Sequence, residues 1–504
     1  MKFLPLTYKY LLPFLLGSFS ILAFSPFNFY PLIFFTIISL LYITNSNGSE
    51  NIKSFLYGSG FFIFGIYWIY ICLQKFGGMP SLMAVFSTLA LCLYLALFFL
   101  PFSLFKRYKN TIYFIPAFFT LIELLRSTAF TGFPWLSLGY TQVPHSPLTG
   151  YLPIIGIHGI SFLVVLSSVL IFKIFKKDSA KVLLLTLLIS IWVGGQYLKG
   201  IKWTKPKGDP FSISLIQGNI PQDKKWDKSM INASLDHYQK LILSSDSSLI
   251  ILPETSMPIL FKDLPQKFLQ NIEDHTFHNK SNVILGAIES SNHGFYNSAF
   301  LIGSEQAQTY RKEHLVPFGE FIPFENYLGY FYENWLHIPF NSLQRGLSSN
   351  APKFWVNDTS IAVNICYEDV FGSEIIKRYD GKVSLPNLYV NISNDAWYGK
   401  SIAAQQHLQI SQARSIETGK MMVRATNTGV TAFIDVDGKI LKELPQFVSG
   451  ILTQTVQGYE GRTPYTFFTD IPIFIISISI LLFYFLRSLF HFHKKKLNNL
   501  FLNI

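Results

Sequence analysis

Eight apolar runs, seven ahead of a 270-residue polar block and one behind it, constrain this 504-residue chain more than any other feature. They fall at about 8–25, 28–45, 55–73, 82–105, 111–128, 157–176, 181–198 and 470–490. Runs of this length can cross the ~30 Å hydrocarbon core of a bilayer as helices. The expectation is a polytopic α-helical membrane domain of eight spans enclosing one soluble domain. Its parts are seven helices over 1–200, the soluble block at 201–465, and the eighth helix with a basic tail at 466–504. Only 14% of residues are charged, against roughly a quarter in soluble domains. Lys2 and Lys9 ahead of the first run would also suit a signal peptide. No small-x-small cleavage site follows, however, and Pro26 occupies the place where cleavage would fall.

The formal net charge of +11 invites a nucleic-acid reading, and its distribution removes it. Residues 201–470 hold 24 Lys and Arg against 27 Asp and Glu, leaving 17 basic and 3 acidic residues for the rest. The excess therefore belongs to the membrane portion and sets orientation. With a cytoplasmic N-terminus, inside segments carry fourteen basic residues and short outside segments three. That asymmetry places the soluble block in the periplasm of a bacterium and the chain in its inner membrane. The bilayer is an expected partner, nucleic acid is not, and a monomer is expected.

From Phe211 onward, apolar strand-like runs alternate with helical stretches. Strands are expected at 213–217, 249–252, 282–288, 299–302, 361–365, 388–392, 422–425, 431–434 and 451–454, and helices near 228–244, 371–378 and 403–419. Strands this continuously apolar are covered on both faces, which predicts a layered α/β domain. Asp435-Val436-Asp437-Gly438 reads as a hairpin turn. The aromatic-rich stretch 324–345 reads either as a mobile apolar lid touching the bilayer or as a fixed core loop. In the membrane part, Glu123 and Arg126 share a helix face, as a structural ion pair or a substrate contact. The outside loop 131–140 carries Trp135 and Tyr140, which suit an interfacial belt or a lipid-headgroup contact.

Three residues of the soluble block suggest covalent acyl chemistry, although a lone Glu or Lys is more often a solvated surface residue. Cys366 directly follows an apolar strand, where loops present functional groups, and a thiol needs a base or a cation to become a nucleophilic thiolate. Glu254, just after another strand, is the candidate base, with a pKa expected to be raised by partial desolvation. Lys312 is the candidate oxyanion partner, alongside the backbone N–H after the nucleophile. Cys72 and Cys92 lie in apolar runs, and the scattered histidines offer no metal-ligand spacing. Neither metal nor cofactor is expected.

Leu252-Pro253-Glu254, Lys312 with His314-Leu315-Val316-Pro317-Phe318-Gly319-Glu320, and Asn364-Ile365-Cys366-Tyr367-Glu368 resemble the three signature regions of the nitrilase (carbon–nitrogen hydrolase) superfamily. Three further stretches resemble that superfamily's membrane branch, the bacterial apolipoprotein N-acyltransferases: Asn394-Asp395-Ala396-Trp397-Tyr398-Gly399, Arg424-Ala425-Thr426-Asn427 and Gly132-Phe133-Pro134-Trp135. The resemblance implies an αββα sandwich and a Glu254–Lys312–Cys366 triad. It also implies a ping-pong transfer of a fatty acyl chain from a phospholipid donor, through a Cys366 thioester, to the α-amino group of a diacylglyceryl-modified apolipoprotein. Supporting roles carry over to Glu320, Tyr367 and Glu368, and substrate contacts to Trp226, Trp397 and Trp135. A membrane-tethered amidase of nitrilase type would explain the triad but not eight spans. A non-catalytic lipid-binding protein would explain the spans but not the triad.

Overall fold

The computed structural model describes residues 6–46, 48–109, 111–176, 180–303, 308–323, 342–347, 353–379 and 385–501. Most of the expected lid, 324–341, lies outside the described residues. The chain divides into two compact units. One comprises Met1–Ile66, Leu89–Gly200 and Phe468–Ile504, and the other Tyr67–Thr88 with Ile201–Phe467.

The second unit is built on two six-stranded sheets. The first contains β1 (Thr204–Gln217), β2 (Leu249–Ile251), β3 (Asn282–Ser291), β4 (Gly294–Ile302), β5 (Gln308–Arg311) and, from the far end of the domain, β12 (Gly450–Gly461). Their order is β12-β1-β2-β3-β4-β5. The second sheet contains β6 (Phe354–Val356), β7 (Thr359–Ile365), β8 (Leu388–Ser393), β9 (Met422–Thr426), β10 (Thr431–Ile434) and β11 (Ile440–Leu444), in the order β11-β10-β9-β8-β7-β6. Each sheet has a parallel centre, β1-β2-β3 and β7-β8-β9, with antiparallel strands outside it.

Period-two side-chain alternation gives every central strand two apolar faces. Ile213, Leu215, Ile251 and Ile284 of the first sheet meet Val363, Ile365, Val390 and Val423 of the second in one core. Facing the other way, Ile250, Val283 and Leu285 pack under helices Lys228–Leu243 and Gln266–Asn279. Ala362, Tyr389 and Met422 pack under Gly372–Lys377 and Ala403–Thr418. The result is the four-layer αββα arrangement. The expected hairpin is present, with the Gly438 N–H donating to Asp435 O at 2.8 Å where Gly438 has φ +76°.

The helical unit corrects the span lengths. Among the described residues, four helices are long and apolar enough to cross a membrane: Ser81–Tyr108, Pro147–Phe175, Lys181–Leu198 and Ile471–Phe490. A fifth candidate is the pair Glu50–Gly65 and Trp68–Phe76, bent by 48°. The runs at 8–25, 28–45 and 111–128 form shorter helices, Lys9–Ala23, Pro31–Thr44 and Phe114–Arg126. A helix of thirteen or fourteen residues is only ~20 Å long. Apolar composition runs past these helices' ends: Pro31 begins one, and the other two give way to turns at Phe24 and Ser127.

Small residues and internal hydrogen bonds hold this unit, as packing in lipid requires. A side chain on Gly17 would stand 1.9 Å from Tyr57 O, and one on Gly60 would stand 2.0 Å from Phe14 O. Ser20, Thr36 and Tyr57 form a buried triangle with edges of 2.7–3.1 Å. Glu123 and Arg126 resolve toward the structural role. The pair is buried at 3.6 Å, with Arg126 donating to Phe133 O, Trp135 O and Ser137 Oγ while Glu123 accepts from the Leu138 N–H. Together they brace the aromatic loop.

Candidate active site

Three strand ends carry the expected triad. Glu254 follows β2 in a tight turn whose next residue, Thr255, has φ +44°. Gly286 on neighbouring β3 makes room for that turn, since a Cβ there would lie 2.6 Å from both Pro253 O and Thr255 N. Lys312 follows β5, and Cys366 follows β7 as the first residue of a 3-10 turn, Cys366–Val370, with φ +54°. A left-handed backbone at a non-glycine residue is uncommon and clusters at functional sites. Here it turns the chain sharply out of the strand at the sulfur-bearing residue.

The charged groups interlock. Lys312 Nζ lies 3.1 Å from Glu254 Oε1 and 2.8 Å from Glu320 Oε1. Asn297 Nδ2 donates to the same two oxygens, at 2.8 Å each. The Asn394 N–H donates to Glu254 Oε2 at 2.9 Å, and the Val316 N–H to Glu320 Oε2 at 2.8 Å. Burial alone would raise the Glu254 pKa, but Lys312 and the Asn297 amide outweigh it, and the carboxyl is held below its ordinary value. This corrects the expectation of a raised pKa. Glu254 is a ready carboxylate, competent to accept a proton. Burial also opposes the Lys312 ammonium, yet Glu254 and Glu320 hold its pKa well above the usual lysine value. Cys366 goes the other way: burial and the negative charge of Glu254 push its thiol far up, against the pull of Lys312. At rest the site is therefore a neutral thiol beside an ionised base and a fixed ammonium.

Glu368 is surrounded by donors. It is fully buried and accepts from Tyr310 Oη at 2.8 Å, the N–H groups of Glu313, His314 and Ile365 at 2.8, 3.2 and 2.6 Å, and Arg378 Nη2 at 2.7 Å. These donors come from β5, from the segment after Lys312, from the end of β7 and from behind the nucleophile. One carboxylate thus fixes Lys312 relative to Cys366. The neighbouring Tyr367 is buried, with its ring edge-on to Phe371 at 5.2 Å.

The tryptophans divide. Trp226 is exposed, on the loop between β1 and helix Lys228–Leu243. Trp397 is half-buried, edge-on to Phe76 at 6.0 Å. Trp135 is fully buried in the described structure. Several site residues escaped the sequence reading, among them Asn297, Lys225 and Asn391, and Arg424 figured there only as part of a resembling stretch with no role. Arg424 Nη1 donates to Asn391 Oδ1 at 2.7 Å, and Asn391 Nδ2 donates to Cys366 O at 3.2 Å. Arg424 Nη2 also donates to Asp395 Oδ2 at 2.7 Å. The available signal was a polar residue inside an apolar strand, as at Asn391 in β8 and Arg424 in β9. Lys225 gave none, because Lys224 beside it is an ordinary exposed lysine.

Comparison with known proteins adds the family. Residues 16–170 match the apolipoprotein N-acyltransferase N-terminal domain, and residues 212–465 match the carbon–nitrogen hydrolase domain. An apolipoprotein N-acyltransferase from Nitrosomonas europaea is 40% identical over 93% of this chain and 95% of its own. Its counterpart from Haemophilus influenzae is 35% identical over 99% of this chain and 98% of its own. The chain belongs to the apolipoprotein N-acyltransferase family. A further relative, from Chromobacterium violaceum, is 34% identical over 91% of this chain and 90% of its own. Within this family the strand block is the carbon–nitrogen hydrolase domain, and the chain is an acyltransferase of the membrane.

Proposed function

We propose that the chain transfers a fatty acyl group from a phospholipid to the α-amino group of a lipoprotein's diacylglyceryl-cysteine through a thioester on Cys366. The observation that carries this reading is the Glu254–Lys312–Glu320 cluster at the strand ends that also present Cys366 in a left-handed turn. In the first half-reaction Glu254 takes the thiol proton and the sulfur attacks the ester carbonyl. Lys312 and the backbone N–H after Cys366 face the oxyanion. The C–O bond breaks, Glu254 returns its proton to the departing lysophospholipid, and the thioester remains. The amine then attacks the thioester, its proton passes through Glu254 to the sulfur, and the free thiol is restored. Parallel initial-rate lines against the two substrates are the expected ping-pong pattern, and intersecting lines would contradict it.

Glu320 orients Lys312, and Trp226 and Trp397 are proposed substrate contacts. The fully buried Trp135 contributes to the loop that Arg126 holds. One chain supplies every proposed site residue, so a monomer suffices. The four long apolar helices and the bent pair among the described residues support a multi-pass membrane part, and the eight apolar runs of the sequence support seven spans before the catalytic domain and one after it. Charge asymmetry supports a periplasmic catalytic domain at the inner membrane. A phosphatase active only outside the cytoplasm should accordingly be active when fused near Ser304 and silent near Asp178, and the reverse would place the domain inside. Confinement of both lipid substrates to one leaflet raises their effective concentration at a tethered site.

The reaction itself is tested with purified protein, a defined phospholipid and a synthetic diacylated lipopeptide. The lipopeptide should gain the mass of one acyl chain. Hydrolysis of simple amides with no acylated lipopeptide would instead favour the tethered amidase.

A further inference from the structure

Glu254 is a buried carboxylate, Glu320 beside it keeps 13% of its side chain exposed, and Lys312 supplies one positive charge between them. An isolated cluster of that composition would carry a surplus negative charge in a low-dielectric site, and the transfer of a proton from Cys366 to Glu254 would move that charge onto the sulfur. Buried charge of this kind is costly unless paired. A second ammonium is present. Lys225 is 2% exposed, and its Nζ donates to Thr255 Oγ1 at 2.6 Å and lies 3.4 Å from Glu254 O.

The chain is built to hold it there. The loop that carries Lys225 is pinned just ahead of that residue by the family motifs at 394 and 427. Asn427 Oδ1 accepts from the Ile220 N–H at 2.9 Å, Asn427 Nδ2 donates to Ile220 O at 2.8 Å, and Asn394 Nδ2 donates to Gln222 Oε1 at 2.7 Å. Asn394 is the residue whose N–H also holds Glu254. Lys225 turns inward from this loop while its neighbours Lys224 and Trp226 are exposed. Its partner Thr255 sits in the left-handed region, which a β-branched side chain adopts rarely. The strained turn puts the threonine hydroxyl on the ammonium.

We propose that Lys225 is a positioning residue for acyl-enzyme formation, holding the Glu254–Thr255 turn and supplying the second positive charge that stabilises the anion shared by Glu254 and the Cys366 sulfur. The role requires an ammonium, so it is lost when Lys225 is neutral. Burial draws its pKa down to about 8, with Glu254 facing it from the end of β2 and Cys366 from the end of β7, both pulling the other way. Lys312 stands beyond Glu254, and the charged residues on the loop itself, Asp223, Lys224 and Asp227, are exposed. The cation is therefore present below about pH 8 and fades above it.

The proposal rests on the Cys366 acyl-enzyme. The test is the single-turnover rate of Cys366 acylation by a defined phospholipid in detergent micelles, read by intact mass between about pH 5.5 and 9.5, a window spanning the histidine and cysteine reference values. Wild type should lose rate as pH rises through about 8. Lys225→Met should be slower by about 10²-fold at neutral pH, comparable to losing one preorganised charge partner, and should lack that alkaline decline. Lys225→Arg keeps its charge throughout the range, so its decline should disappear even where its rate is lower. Either variant, once shown folded by its melting temperature, decides the matter: a rate and pH profile equal to wild type overturns the role. Should Lys225→Met fail to fold, Lys225→Arg alone carries the comparison. A wild type that forms no thioester contradicts the function proposed above, whereas a normal thioester with unaltered variants contradicts only the role of Lys225.

Discussion

Cys366→Ala should fold as the wild type does and transfer no acyl group. Removing a covalent nucleophile leaves only binding and oxyanion stabilisation, a loss on the order of 10⁴-fold or more. Its structural cost is one sulfur atom on a small buried side chain, about 1 kcal/mol. The triad's ion pairs do not involve the thiol, so Lys312 should keep both carboxylates. Cys366→Ser should be nearly as inactive for a separate reason. Glu254 is held below its ordinary pKa by Lys312 and Asn297 against its own burial, so it is too weak a base for a hydroxyl. The readout is acylated lipopeptide by mass, beside thermal unfolding of both variants. Transfer by Cys366→Ala within tenfold of wild type would remove the covalent mechanism.

The second large effect is on stability. Glu368→Ala should lower the unfolding free energy by about 3–5 kcal/mol, the range for breaking a buried ion pair. It removes one of the two carboxylates on the buried guanidinium of Arg378, leaving Glu313 Oε2 at 2.8 Å, and deprives three backbone N–H groups of their acceptor. A fall in melting temperature on the order of 10 °C follows for a domain of this size. Activity should fall with it, because the same carboxylate spaces Lys312 from Cys366. Glu368→Gln keeps the shape and one acceptor oxygen and should be milder. An unchanged melting temperature for Glu368→Ala would show that the bracket is not where the domain's rigidity resides.

The sequence exposed the parts of this molecule whose physics is local. Central strands such as 361–365 and 388–392 are apolar on both faces and are visible as runs, and Cys366 is conspicuous at the end of one. Strands β5, β6 and β11 were not legible. All three lie at sheet edges: β5 and β11 carry polar and charged residues such as Gln308, Lys442 and Glu443 in place of apolar ones, and β6 is only three residues long. Helix Gln266–Asn279 was missed because its buried side is narrow, just Phe268, Ile272 and Thr276.

Local legibility also explains the error at Glu254. A carboxylate after an apolar strand reads as desolvated, and it is. Its donors, however, arrive from residues 297, 312 and 394, on three other segments. Span lengths erred similarly, since hydropathy registers composition and not the turns at Phe24, Ile66 and Ser127 that end or bend the helices. Glu368 shows the opposite limit. Its place beside the nucleophile was plain in the sequence, while its five-donor role depends on tertiary structure.

Phospholipid alone should acylate Cys366. The most direct measurement is the intact mass of purified protein after exposure to a defined phospholipid with no acceptor present. The expected result is a gain of one fatty acyl chain, located on Cys366 by peptide mapping, removed by neutral hydroxylamine and absent from Cys366→Ala. Acylated lipopeptide produced by a protein that never carries the adduct would contradict it.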